Sequence, residues 1–153
     1  MELHRANLAI VTSRAVGLCL AQHMADSVVR AALNLYSALR FRPANPAQYT
    51  ILSSLALVHR TGMVTPISLA TGSKCLPATH LSMNGDAVHD SHAEVLARRG
   101  AIRWLMEEIC RSTQRSSEWI ERKETGKWGL KTGVSLHMYI STLPCEDAHC
   151  SST

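Results

Sequence analysis

Ser91-His92-Ala93-Glu94-Val95-Leu96-Ala97-Arg98-Arg99, running on to Cys110, is the clearest helix in the chain. Val95, Leu96, Ile102, Leu105, Met106 and Ile109 recur at a spacing that builds an inner apolar stripe. Arg98, Arg99, Arg103, Glu107 and Glu108 decorate the rest of its surface. Ser91 followed three residues later by Glu94 reads as a capping box, with Ser91 at the N-cap and Glu94 at the third helical position. The spacing therefore predicts a helix over 91–110 that opens on His92 and Glu94.

Upstream, apolar residues at Val28, Val29, Ala32, Leu33, Leu35, Tyr36 and Leu39 predict a second helix over 26–39, with Asp26 suited to its N-cap. Two prolines between Arg42 and Gln48 make that stretch a loop. Residues 49–58 are rich in strand formers, Thr61-Gly62 supplies a turn, and 63–70 continue as a second strand. Pro66 within it favours an edge position or a strand start. Gly72 to Asp90 is a long polar loop carrying Lys74, Asn84 and Gly85. Downstream, 111–133 is charged and punctuated by glycine, as a surface excursion would be. Alternation through Leu136, Met138 and Ile140 predicts a strand over 134–142. The order helix, strand, strand, helix, strand defines an α/β layered domain, and its last strand leads at once into Pro144-Cys145. Met24-Ala25-Asp26 reads like a natural chain start, so residues 1–25 are expected to be an N-terminal extension outside the fold and 26–153 the domain.

At 153 residues the chain fits one domain with a real core. No apolar run is long enough to span a bilayer. The formal net charge is +4. Between Ser27 and Gly85 there is no acidic residue at all, while Arg30, Arg40, Arg42, Arg60 and Lys74 fall there. A half of one sign suits a polyanion such as RNA, and equally a solvated basic face. The five cysteines, Cys19, Cys75, Cys110, Cys145 and Cys150, are odd in number and follow no convincing secretion signal. That pattern points to a reducing compartment with free or metal-bound thiols, and so to a cytoplasmic or nuclear rather than a secreted protein.

His92-Ala93-Glu94 followed some fifty residues later by Pro144-Cys145 supplies the parts of a zinc-water site. Imidazole and thiolate hold Zn²⁺, the metal lowers the pKa of a bound water, and a neighbouring carboxylate moves the protons. In α/β folds, helix starts and strand ends gather at one side of the sheet, so distance along the chain is no obstacle. Taken singly, Ser91 to Glu94 is a helix cap, Cys145 a buried thiol and Arg98-Arg99 a solvated face.

The stretch Asp90 to Arg99 resembles the zinc-motif helix of the eukaryotic RNA adenosine deaminases, most of all their tRNA-specific branch. Gly72-Ser73-Lys74-Cys75-Leu76 and Tyr139-Ile140-Ser141-Thr142-Leu143-Pro144-Cys145 are similar to two further segments of that family. The resemblance runs from about Asp26 to Asp147. It implies a cytidine-deaminase-like layered fold, here C-terminally truncated. It also implies an enzyme that deaminates adenosine to inosine next to a tRNA anticodon, with no obligate protein partner. By the same resemblance His92 and Cys145 are zinc ligands and Glu94 is the proton shuttle. Arg98 and Arg99 contact a buried inositol hexakisphosphate, and Asp90 links that cofactor to the active site. Forked guanidinium donors suit such a polyanion. Two departures stand out. Glu146 occupies a position where the family has glycine, and the family's third zinc ligand is a cysteine further downstream. His149, four residues past Cys145, would face the same way on a helix and is a candidate substitute; Cys150 would point elsewhere. The chain is therefore expected to be an incomplete, weakly active or inactive form, or else a non-catalytic RNA-binding remnant.

Overall fold

The computed structural model describes residues 18–40, 50–76, 84, 86 and 88–142. In chain order these form α1 (Leu18–Ala38), β1 (Leu52–His59), β2 (Val64–Thr71), α2 (Ala93–Ser112), a short hairpin of β3 (Ile120–Arg122) and β4 (Trp128–Leu130), and β5 (Val134–Ile140). The layered α/β class and the order helix, strand, strand, helix, strand are borne out, with β3 and β4 added.

β1, β2 and β5 make one antiparallel sheet in the order β2-β1-β5. β1 is its centre, and every residue from Leu52 to Val58 is buried. A strand covered on both faces must be apolar or small on both, and the alternation separates two cores. Leu55 and Leu57 point towards α2, where they meet Ile67, Ala97, Ala101, Trp119 and Ile120. Leu52, Ala56 and Val58 point the other way, against Val28 and Ala32 of α1 and Tyr139 of β5.

β2 lies at an edge of the three-stranded sheet, where Pro66 costs no ladder bond on the open side. A bulge falls beside it: Leu55 pairs with Ser68 and Ala56 with Pro66, leaving Ile67 unpaired. Without the extra residue, Val64 to Pro66 would turn the wrong side chains to each core. The turn between β1 and β2 uses Gly62 at φ 85°, as Thr61-Gly62 predicted. Its backbone amide donates to the His59 carbonyl at 2.8 Å.

Four expectations need correction. α1 begins at Leu18, not at Asp26, and Ala25 is buried, so the last part of the expected extension belongs to the fold. Asp26 lies inside the helix rather than capping it. The predicted inner stripe of α2 is displaced: Ala93, Ala97 and Ala101 are fully covered, while Ile102 and Met106 are exposed. The helix lies close enough that a Cβ on Gly100 would meet Ser68 Cβ at 3.1 Å, and only small residues fit that seam. Finally, 111–133 is more than an excursion. Trp119 and Ile120 are buried in the α2-side core.

A polar staple holds that return in place. Glu108 is buried and accepts from Ser117 Oγ at 2.6 Å and from Arg111 Nη2 at 2.8 Å. Ser117 Oγ in turn accepts from the backbone amides of Trp119 and Ile120. Burial pushes the Glu108 carboxyl up, but the Ser117 hydroxyl and the Arg111 charge outweigh it, and the net shift is downward. The loop predicted over 42–48 lies outside the described residues, save that α1 does end before it. Among the described residues no helix is long and apolar enough to cross a membrane.

Candidate metal centre

The end of the sheet where β2 and β5 stop and β1 starts gathers four segments. Thr71 pairs with Leu52, and the Gly72 amide donates to the Ile51 carbonyl at 3.1 Å. The Ser141 amide donates to the Leu52 carbonyl at 2.9 Å, and Ser141 Oγ accepts from the Leu52 amide at 3.0 Å. α2 is fastened to the same place, since the Ala93 amide donates to the Gly72 carbonyl at 3.1 Å. Gly72 fits only because it lacks a Cβ: one built there would lie 1.9 Å from the Ser91 carbonyl oxygen.

Just beyond Gly72 the chain pairs with the approach to α2. Cys75 and Asp90 form an isolated antiparallel bridge, flanked by hydrogen bonds from the Leu76 amide to the His89 carbonyl (2.8 Å) and from the Ser91 amide to the Lys74 carbonyl (3.0 Å). Cys75 and Asp90 are thus a non-hydrogen-bonded pair, the kind whose side chains approach most closely on one face. His92, two residues beyond Asp90 with extended backbone (φ −63°, ψ 141°), returns to the same face. Its Nδ1 lies 2.9 Å from Asp90 Oδ1 and 3.3 Å from Cys75 Sγ. One nitrogen, one oxygen and one sulfur are therefore all within 4.8 Å of one another. Asp90 Oδ1 also accepts from the His92 backbone amide at 2.9 Å. That bond is the chief cause that holds its carboxyl below the usual aspartate range; partial burial opposes it, and the His92 ring and the Cys75 thiol add to the lowering.

The expected capping box is absent. His92, not Ser91, is the N-cap residue, and it makes no side-chain capping bond. The Ser91 amide that Glu94 would have accepted from is already bound to Lys74. Glu94 stands half-buried in the first turn of α2, without a hydrogen bond or ion pair to any described residue. Arg98 and Arg99 lie on the exposed outer face of the same helix. Cys145, and with it Glu146, His149 and Cys150, lies outside the described residues.

Of the residues expected at the site, the structure brings His92 and Asp90 into contact and sets Glu94 in the first turn of α2. It adds Cys75, whose motif was legible but which carried no expected role as a ligand. The donor chemistry fits zinc: imidazole, thiolate and carboxylate are the three ligand types that ion takes. Two exposed guanidiniums offer charge to a polyanion but do not by themselves enclose one, so nothing in the chemistry below is routed through inositol hexakisphosphate. A separate cleft of about 520 Å³ opens at the opposite end of the sheet, between α1 and the β1–β2 turn, and shares no residue with the His92 cluster.

Residues 68–153 match the adenosine-deaminase (editase) domain. The chain is 37% identical over 91 residues to the double-stranded RNA-specific editase Adar of Drosophila melanogaster, covering 56% of this chain and 14% of that protein. It is 40% identical over 84 residues to the double-stranded RNA-specific adenosine deaminase of Rattus norvegicus, covering 53% and 7%. It is 36% identical over 141 residues to tRNA-specific adenosine deaminase 1 of Saccharomyces cerevisiae, covering 86% and 35%. The chain thus spans about a third or less of the length of these relatives. It belongs to the adenosine-deaminase (editase) family.

Proposed function

We propose that this chain carries the zinc-motif half of an enzyme that hydrolytically deaminates adenosine to inosine in tRNA, next to the anticodon. One observation carries the reading. The first turn of α2, with His92 and Glu94, is fastened to the same end of the sheet at which β5 runs out towards Pro144-Cys145. The tRNA assignment rests on the yeast tRNA-specific relative, matched over most of this chain.

In this reading His92 and Cys145 are ligands, and bound zinc would supply the Lewis acidity that makes water a nucleophile near neutral pH. Glu94 accepts a proton from the water that attacks C6 of a flipped-out adenine and delivers it to the departing amine. The lack of any competing partner among the described residues leaves its carboxylate available for that work. Asp90 fixes the ring of His92 and so the direction of its lone pair. Arg98 and Arg99, with no ion pair to a described residue, are offered as the contacts to inositol hexakisphosphate.

The test is inosine at the anticodon loop of a tRNA substrate, measured by nucleoside mass spectrometry, with the chain in its full-length protein. Glu94→Gln should lower the rate about 10²–10⁴-fold while leaving the melting temperature in place. Undiminished inosine in that variant would sink the assignment. The acid-free stretch from Ser27 to Gly85 supports a second reading, a non-catalytic RNA-binding module. Salt-dependent tRNA binding with no inosine formed would favour it.

A further inference from the structure

The cleft at the far end of the sheet takes no part in the chemistry above. Its volume is about 520 Å³, and three elements line it: α1 with His23 and Ser27, the end of β1 with His59 and Arg60, and β5 with Ser135. Among its described lining residues there is no Asp or Glu; Asp26, beside Ser27 on α1, is exposed and outside the lining. The β1–β2 turn holds the donors in place. The His59 amide donates to the Met63 carbonyl at 2.9 Å, and the Gly62 amide donates to the His59 carbonyl at 2.8 Å. The Thr61 amide donates to His59 Nδ1 at 3.3 Å, and Thr61 Oγ1 lies 2.9 Å from the same nitrogen. Nδ1 is therefore an acceptor, and the proton of the neutral ring sits on Nε2 as a donor. The Arg60 stem packs over Gly133, where an added Cβ would meet its Cδ at 3.1 Å and its Cβ at 3.3 Å. Arg60 is exposed, and its guanidinium makes no hydrogen bond or ion pair with any described residue.

We propose that this cleft is a second contact for the RNA, remote from the chemistry, and that it holds a phosphodiester through Arg60 with the imidazoles of His23 and His59 as further donors. The lining is complementary to an anion. A planar guanidinium takes two phosphate oxygens at once, ring N–H groups add to it, and no lining carboxylate opposes them. Position favours a polymer over a small anion. The eight residues of β1 run from the His92 end of the sheet to the cleft, roughly 23 Å at about 3.3 Å per step. A substrate that reaches both places must be a macromolecule. One exposed charge contact alone is weak, whereas along a polyanion each such contact adds to those made elsewhere. The turn that carries His59 and Arg60 also lies inside the acid-free stretch from Ser27 to Gly85, so the approach to it is not repelled by carboxylates of that stretch. A contact of this kind positions the RNA without reading its sequence. The inference rests on the reading above only in taking RNA as the partner; it needs no metal and no reaction at the cleft.

The experiment titrates the full-length protein with tRNA by fluorescence anisotropy between about 50 and 200 mM salt, with inosine measured on the same samples. In Arg60→Gln, affinity should fall severalfold at the lowest salt. The slope of log K against log salt should become shallower by about 0.7–0.9, the share of one phosphate. Arg60→Lys keeps the charge and should restore most of that slope. Arg115→Gln removes the same charge from the α2 side of the sheet and should leave affinity and slope unchanged. Both arginines are exposed, so melting temperatures should stay in place and report that the variants fold. Parent affinity and slope in Arg60→Gln would overturn the proposal. So would an equal loss in Arg115→Gln, which reduces the effect to net charge. Inorganic phosphate that erases the difference between parent and Arg60→Gln at matched ionic strength would mark a small-anion site and overturn it as well. Normal inosine formation with tRNA binding indifferent to Arg60 sinks the cleft alone. The expected loss of affinity in a protein that makes no inosine supports the cleft and sinks the deaminase reading.

Discussion

Replacing Gly72 by alanine tests the architecture of the site without touching a ligand. The Cβ would sit 1.9 Å from the Ser91 carbonyl oxygen, 3.1 Å from its carbon and 3.7 Å from the Ala93 nitrogen. Ordinary contact needs about 3.4 Å or more, so the Gly72–Cys75 strap and the start of α2 must part by roughly 1.5 Å. The obstacle is backbone, which cannot rotate away as a side chain does. Overpacking typically costs about 1–3 kcal/mol, and a backbone clash belongs at the upper end. For a domain of this size, that is a fall in melting temperature of about 6–12 °C. The displacement also separates Cys75 from His92, since Gly72 precedes one and its carbonyl anchors the helix that follows the other. Thermal melting by circular dichroism, with zinc titration on the same samples, reads both effects. An alanine variant that melts within about 1 °C of the parent and binds zinc equally well would refute the close approach and the role given to it.

Three further expectations follow from the packing and the polar groups. Leu57→Ala, at a position with no exposed surface between β2 and β5, should cost about 2–5 kcal/mol, whereas Met106→Ala, 62% exposed, should stay within about 0.5 kcal/mol; similar losses from urea melts would contradict the placement of α2. Ser117→Ala removes the donor to buried Glu108 and the acceptor of two amides, and should cost about 1–3 kcal/mol. Because the folded Glu108 carboxyl lies below its ordinary 4.5, its contribution is present above that pH and is lost as pH falls beneath it, so the parent should lose stability below pH 4.5 more steeply than the variant. Burial holds His137 below its ordinary 6.5, so its neutral form supports the fold above that pH and stability should fall as pH drops below it; a His137→Asn variant with an unchanged slope between pH 7 and 5 would contradict this.

The chain's elements were legible wherever periodicity was strong. The strands of the main sheet and both helices announced themselves through apolar spacing, and Pro66 correctly pointed to an edge. What periodicity could not show was which of several apolar residues on α2 would face the sheet. Counting large side chains selects Ile102 and Met106. Close packing selects Ala97 and Ala101, because Gly100 meets Ser68 there. The hairpin after α2 was missed for a related reason. Its strands are three residues each, too short for alternation to register, and they are held by a buried carboxylate rather than an apolar pattern. At the site, His92, Asp90 and Glu94 stood out because they are adjacent in a recognisable motif. Cys75 did not, because the bridge that brings it to Asp90 crosses fifteen residues of polar sequence with no periodic signal.

The motif around His92 permits two structures, and the strap decides between them. A Ser-x-x-Glu sequence at a helix start can close on itself, the serine hydroxyl and the glutamate carboxylate each satisfying the other residue's amide. That would spend the Glu94 carboxylate on a structural bond. Here the Lys74 carbonyl takes the Ser91 amide first, the helix starts one residue later at Ala93, and Asp90 accepts from the His92 amide where a cap would have been. The Gly72–Cys75 strap thus performs two tasks at once. It satisfies the backbone donor that Glu94 would otherwise have claimed, and it presents a thiol to the imidazole. Glu94 is thereby left without a hydrogen bond or ion pair to any described residue, in a first turn where the helix dipole favours its charge. Under the proposed deaminase reading, that leaves the Glu94 carboxylate available to move a proton.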